Sequence, residues 1–150
     1  MVYVKNDKAY FDYDLLEKFE AGLQLLGLEV KSLKLGRAQL PVSHVIIRGG
    51  EAFWVGGMIH PYQPANTPDD YDPSRTRKLL LSKKEIAHLQ VKSQAEGLTI
   101  IPLSVYSKGR QIKLEIALAR GRKKFDKRQV LKKRVAERDI DRALKGRRDF

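Results

Sequence analysis

Nineteen of the last 31 residues of this chain, Arg120 to Phe150, are charged: fourteen are Lys or Arg and five are Asp or Glu. A stretch of net charge +9 supplies no hydrophobic core, so whatever folds must be built from the 119 residues ahead of it. That is enough for one domain. Those residues hold only +3 of the total +12. Positive charge so concentrated at one end suits a polyanion, because phosphate contacts release counterions. The alternative is a solubilising tail, but solubility rarely needs a single sign of charge at one end.

Several function classes find no support. There is no cysteine, hence no disulfide, no thiol nucleophile and no thiolate metal site. His44, His60 and His88 lie far apart, without metal-ligand spacing. No nucleophile elbow, Walker loop or dinucleotide-binding glycine pattern occurs, and Gly56-Gly57 reads as a bend inside an apolar strand. Asp69, Asp70 and Asp72 lack the spacing of a cation loop. Glu20 and Glu29 are the only carboxylates that invite pairing as acid and base, yet nothing places them together, and each is expected at the surface. Neither a catalytic residue nor a metal or cofactor is expected. No apolar leader follows Met1, and no run approaches the roughly 18 apolar residues of a membrane span, so a cytoplasmic location without membrane contact is expected.

Residues 1–10 read as an arm that orders only against something else. From Phe11 to Leu26, seven of the eight odd positions are apolar, which is strand periodicity, while Leu15, Leu16, Phe19, Leu23 and Leu26 also fit a helix. Periodicity leaves the two open, although Gly22 in mid-run leans toward a bent or bulged strand. Leu28 to Leu35 reads as a short helix ended by Gly36. Val42 to Arg48 and Glu51 to Ile59 are two strands whose Gly49-Gly50 link suits a type I′ hairpin. His60 to Arg77 holds four of the six prolines and reads as a long, mobile loop. Lys78 to Leu81 is a short strand entering a helix, with Ser82 and Glu85 as its capping box, Ile86, Ala87, Leu89 and Val91 as its apolar face, and Gly97 as its end. Thr99 to Tyr106 is a strand in which Pro102 marks an edge or bulge. After Lys108-Gly109, residues Ile112, Leu114, Ile116 and Leu118 alternate with Lys113, Glu115, Ala117 and Ala119 as a half-buried strand. About six short strands with tight turns suggest a closed or nearly closed antiparallel barrel, the chain being mainly β.

The tail is different. From Asp126 to Leu144 its composition favours helix, with no Gly or Pro before Gly146. At about 100° per residue, Leu131 and Val135 fall on one side of the wheel and Ile140 and Leu144 on the other. Without a continuous apolar stripe such a helix has little to pack against, so order is expected only beside a partner that screens its charge. The same distribution argues against a membrane-surface helix.

The chain resembles the SsrA-binding protein (small protein B) family from about Asn6 to Arg148. The resemblance is carried by Phe19 to Gly22, Glu29 to Leu33, Asp72-Pro73 with Arg75, Arg77 to Leu81, Glu96 to Thr99, Leu118 to Gly121 and Asp126 to Arg128. It implies a six-stranded OB-like barrel with two or three helices, here residues 1–124. It implies also a basic tail, 125–150, disordered when free and helical on the ribosome, and it decides for a strand at residues 11–26. The implied function is non-enzymatic: binding the tRNA-like domain of transfer-messenger RNA and delivering it to ribosomes stalled on truncated messages, with a monomer expected.

By motif, the resemblance puts contacts to the tRNA-like RNA on Asn6, Glu20, Leu80 and Ser82. Arg122, Lys123 and Lys124 join them as phosphate contacts at the end of the barrel. A carboxylate at Glu20 accepts from a base amino group or a 2′-hydroxyl, a selectivity that Lys and Arg do not provide. Ser82 departs from the Asn or His common in the family, and its shorter side chain is suited more to capping than to reaching RNA. The contacts to small-subunit ribosomal RNA fall on Phe125, Asp126, Lys127, Arg128, Lys132, Lys133 and Arg134. Phe125 stands where other members carry His or Tyr, which leaves stacking on a base, or packing on the barrel rim. The rival readings are another OB-type translation factor or ribosomal protein, and an RNA-processing enzyme.

Overall fold

The computed structural model describes residues 1–122 together with residues 128, 131–136 and 138. Within 1–122 the elements are β1 (Val2–Lys5), α1 (Asp7–Asp12), β2 (Tyr13–Leu23), α2 (Gly27–Lys34), β3 (Ala38–Gln39), β4 (His44–Arg48), β5 (Glu51–Val55) and β6 (Met58–Ile59). A 3₁₀ turn at Pro64–Asn66 follows, then β7 (Arg77–Leu80), α3 (Lys83–Glu96), β8 (Thr99–Lys108) and β9 (Gln111–Gly121).

Six strands close on themselves in the order β8-β4-β5-β7-β2-β9, because β9 pairs with β8 as well as with β2. This is the six-stranded antiparallel barrel the sequence suggests, with two additions. The first ten residues do not wait for a partner: β1 adds to the free edge of the second half of β8, pairing Lys5 with Ser104 and Val2 with Tyr106. The short β3 and β6 form a separate two-stranded ribbon. A partner for the arm was invisible because it lies about a hundred residues downstream.

The main core fills the barrel with Trp54, Leu33, Leu40, Ile59, Leu79, Leu89, Leu114, Ile116 and Leu118. A second, smaller cluster of Ala9, Ile101, Leu103, Ala117 and Ala119 lies on the outer side of β8 and β9, under α1. β9 is therefore buried on both faces at one end, not half-buried throughout. Its alternate residues there are Ala117 and Ala119, both fully buried, whose small side chains let the helix approach.

A single alternation in β2 serves both clusters. Its register against β9 slips between Leu15 and Glu17, so Leu16 is the extra residue of a bulge. Phe19 and Leu23 pack against the main core, whereas Tyr13 and Leu15, beyond the bulge, pack under α1. The strand is bulged as expected, but at Leu16 rather than Gly22.

The Gly49-Gly50 hairpin has both glycines at positive φ, 61° and 75°. The run after it divides into β5 and β6 at Gly56-Gly57, where the Trp54 ring lies over Gly57: a Cβ there would stand 2.0 Å from Trp54 Cζ2. On α3 only Leu89 is buried, while Val91 is 63 % exposed and lies off the packed face.

The proline-rich segment is irregular but tied down. Arg77 is fully buried, its Nε 2.7 Å from Glu29 Oε2, its Nη1 2.7 Å from the Gly57 carbonyl and its Nη2 2.8 Å from that of Pro73. Its guanidinium also lies 5.3 Å from the Trp54 ring centre. Arg75 reaches Glu29 Oε1 at 2.5 Å, and the Tyr71 hydroxyl donates to the Ile59 carbonyl at 2.8 Å. Glu29 is thus a fully buried anion, not the surface residue the sequence suggested. Two arginines supply the partners that make its burial tolerable.

Candidate nucleic-acid interface

Opposed residues of an antiparallel ladder share a face, so the registers fix what the barrel shows outside. Across β1, β8, β9, β2 and β7 one row reads Val2, Tyr106, Lys113, Gly22, Leu80. Two residues along β8, β9 and β2, and three along the bulged β1, a second outward row reads Lys5, Ser104, Glu115, Glu20. Between them Val4, Val105, Leu114 and Ala21 point inward. The strand ends nearer α1 are covered by that helix; these two rows reach solvent except at Gly22, which Leu80 covers.

Glu20 is the anion of this surface. Its carboxylate accepts a short hydrogen bond from the Tyr106 hydroxyl and a longer one, 3.3 Å, from Lys108 Nζ. The Tyr106 bond first, with the bond and charge of Lys108 and the charge of Lys113, holds its pKa below the ordinary carboxylate range against the opposing effect of burial. The phenol is shifted the other way: burial first, then its bond to Glu20, pushes the Tyr106 pKa up. The pair therefore stays an ionised acceptor with a protonated donor at neutral pH.

Gly22 lies opposite Leu80 in the ladder. A Cβ at Gly22 would stand 3.1 Å from Leu80 Cβ, so the missing side chain lets the leucine lie flat across β2. Leu80 remains 50 % exposed, an apolar surface beside Lys113. A shallow groove of about 250 Å³ runs there, lined by Gly22, Leu23, Leu80, Gln111, Ile112 and Lys113. On the other side of Leu80, Ser82 caps α3: its hydroxyl accepts from Glu85 N at 3.2 Å, and Glu85 Oε1 accepts from Ser82 N at 3.1 Å. The capping box is as expected, and it commits the serine hydroxyl to the helix. Lys83 and Lys84 are exposed in the first turn, where Glu85 is the one acidic side chain and an outside anion would add to its compensation of the helix dipole.

Asn6 is elsewhere in kind. It is buried, donating from Nδ2 to the Pro102 carbonyl at 2.8 Å and accepting the Ala9 amide on Oδ1 at 3.3 Å, while its own amide donates to Leu103 O. It ties the β1–α1 corner to the bulge of β8, one residue beyond Lys5 in the outer row. Arg122 follows β9, its amide donating to the Asp12 carbonyl at 2.9 Å. Lys123, Lys124, Phe125, Asp126 and Lys127 lie outside the described residues. Arg128, Lys132 and Lys133 are exposed and Arg134 half-buried, and residues 131–136 are helical, with Leu131 and Val135 about half exposed.

The structure thus brings Glu20 and Leu80 onto one open face, with Ser82 beside it, and puts Asn6 beneath its edge. Tyr106, Lys108, Lys113 and Lys5 share that face and were not singled out from sequence. The alternation of β8 and β9 marked their direction, but only pairing with β2 showed what they surround. Among the described residues no group of His, Asp or Glu is arranged to hold a metal ion, and no helix is long and apolar enough to cross a membrane. His88 instead bonds Glu17 Oε2 at 2.6 Å, joining α3 to β2.

Known proteins resemble this chain over almost its whole length. The model of the SmpB protein family matches residues 3–146. The SsrA-binding protein of Syntrophobacter fumaroxidans is 49 % identical over 144 residues, covering 96 % of this chain and 89 % of the relative. That of Rubrobacter xylanophilus is 49 % identical over 146 residues, covering 97 % and 96 %. That of Nitrosomonas europaea is 47 % identical over 148 residues, covering 99 % and 98 %. Among solved structures, a chain described under "tmRNA-SmpB: a journey to the center of the bacterial ribosome" superposes with a TM-score of 0.68 at 37 % identity, covering 85 % of this chain and 92 % of that one. With a family model and relatives matched over almost its whole length, this chain belongs to the SsrA-binding protein family.

Proposed function

We propose that this protein is an RNA-binding adaptor, not an enzyme, that binds the tRNA-like domain of transfer-messenger RNA and brings it to stalled ribosomes for trans-translation. The observation that carries the reading is family membership over nearly the full length, joined to a solved relative named for tmRNA and the ribosome. It acts in the cytoplasm, where ribosomes are.

The barrel, residues 1–124, supplies the specific contacts through Glu20, Leu80 and the neighbourhood of Ser82. Arg122, Lys123 and Lys124 hold phosphates at its end. Asn6 contributes by fixing the corner that carries Lys5. The tail, residues 125–150, engages small-subunit ribosomal RNA through Phe125, Asp126, Lys127, Arg128, Lys132, Lys133 and Arg134. Its charge suits phosphates, which position a chain without reading sequence.

Affinity capture of the protein from a bacterial lysate, followed by sequencing of the retained RNA, tests the proposal. Stoichiometric recovery of one RNA with a tRNA-like end is expected. Broad ribosomal RNA recovery alone, or RNA turned over rather than retained, would overturn it.

A further inference from the structure

On a surface that holds RNA by charge, a carboxylate beside phosphates is repulsive, so Glu20 needs another use. Hydrogen-bond acceptance is the one open to it. A carboxylate has about four lone-pair positions on its two oxygens. Tyr106 takes one on Oε2 and Lys108 one on Oε1. Positions on both oxygens remain for a ligand.

The two props differ in stiffness. The Lys108 side chain is 69 % exposed, and its 3.3 Å contact is the kind that solvent and salt loosen. Tyr106 is a half-buried ring with few torsions, one row from Glu20, and its hydroxyl bond to the carboxylate is short. The tyrosine is the part that fixes where the carboxylate points.

Two acceptors side by side select among bases. On its Watson–Crick edge guanine offers two adjacent N–H donors. Cytosine and adenine each offer one amino group beside a ring-nitrogen acceptor, which a carboxylate repels, and uracil flanks one donor with two carbonyls. Next to Glu20, Leu80 lies over Gly22 and offers a half-exposed apolar surface on which an unstacked base can lie.

Deepening the RNA-binding reading above, and resting on it, we propose that Tyr106 is a positioning residue for RNA selectivity, its hydroxyl holding the Glu20 carboxylate so that both oxygens meet the donor edge of an unpaired guanine lying on Leu80.

The test uses the full chain at fixed near-physiological salt. Binding is measured by fluorescence anisotropy to the tRNA-like domain of transfer-messenger RNA and to a length-matched unstructured RNA. Glu20→Gln is expected to weaken the first at least about tenfold while leaving the second equal or tighter, since a repulsive charge is gone. Tyr106→Phe, which keeps the ring, is expected to weaken the first about three- to tenfold with an unchanged melting temperature and an unchanged second affinity. In the Glu20→Gln background, Tyr106→Phe should add nothing further. A merely structural tyrosine would move the melting temperature and both affinities together. A loss that persists in the Glu20→Gln background would mean that Tyr106 touches RNA itself, and either result overturns the proposal.

A hairpin RNA with one loop guanine among uracils, compared with inosine at that place, tests the edge being read. Wild type should prefer guanine and Glu20→Gln should not. No preference in wild type overturns the guanine assignment. If wild type binds the tRNA-like domain no better than the unstructured RNA, it is the proposed function that fails, not this refinement of it.

Discussion

Glu29 and Arg77, 48 residues apart in the chain, meet at 2.7 Å with neither side chain reaching solvent. Two of the stretches that carry the family resemblance, one on α2 and one entering β7, are therefore halves of a single structural device. Arg75 and the Leu26 amide, at 2.8 Å, complete the shell of the carboxylate. Together they clamp the segment between β6 and β7 and hold the start of β7, whose last residue, Leu80, belongs to the outward row beside Glu20.

Glu29→Gln leaves Arg77 as an uncompensated buried cation. A loss of about 3 to 5 kcal/mol in unfolding free energy is expected, measured by urea denaturation with the slope unchanged.

The same pair makes stability depend on acid. Burial alone would raise the Glu29 pKa, but the hydrogen bonds of Arg75 and the Leu26 amide and the charge of Arg77 outweigh it and hold the carboxyl below its ordinary range. A group depressed in the folded state binds its proton more readily when unfolded, so its contribution is complete above the unfolded pKa and is lost as pH falls through the folded one. Wild-type stability should decline from about pH 5 downward. In Glu29→Gln that part of the slope should be missing, and parallel pH curves for the two proteins would contradict the assignment.

Gly57→Ala puts a methyl group into the ring of Trp54. The buried ring would have to leave its place and break the 2.9 Å bond from its Nε1 to Ser43 Oγ. A loss of about 3 kcal/mol is expected, the upper end for overpacking. Because Trp54 is the only tryptophan, a red shift of the emission of the folded variant reports the displacement directly.

Deleting residues 126–150 should leave affinity for the tRNA-like RNA within about tenfold, roughly 1.4 kcal/mol, and abolish rescue of stalled ribosomes in a reconstituted assay. Loss of most RNA affinity at fixed salt would move the recognition site into the tail.

At Phe125, replacement by Tyr should be nearly silent. Replacement by Ala should slow rescue, with a stacking loss of about 1 to 3 kcal/mol, while the melting temperature stays put. A lowered melting temperature with intact rescue would make it a packing residue instead.

Local chemistry alone determined a good part of this. The Gly49-Gly50 hairpin, the Ser82–Glu85 capping box, the left-handed Gly36 and Gly97 and the bulge at Pro102 all depend on residues a few positions apart, and each stands as read. The closed six-stranded barrel followed from them, and the charge of the tail needed only counting. Glu20 and Leu80 were marked by resemblance to a family, not by any local pattern.

Tertiary structure decided the rest, where the deciding partner is distant in sequence. Glu29 reads as a surface residue until Arg75 and Arg77 arrive, because burial of a charge depends on counter-charges that no local pattern announces. The first residues read as a loose arm until the edge of β8 offers hydrogen bonds. Ala117 and Ala119 read as the outer side of a half-buried strand until α1 covers them. Tyr106 was one more alternating strand residue, and only the pairing of β8 with β9 and of β9 with β2 sets its hydroxyl against Glu20, 86 residues away. Registers between strands are set by the whole barrel closing at once, and that closure is what assembles the outward rows around Glu20.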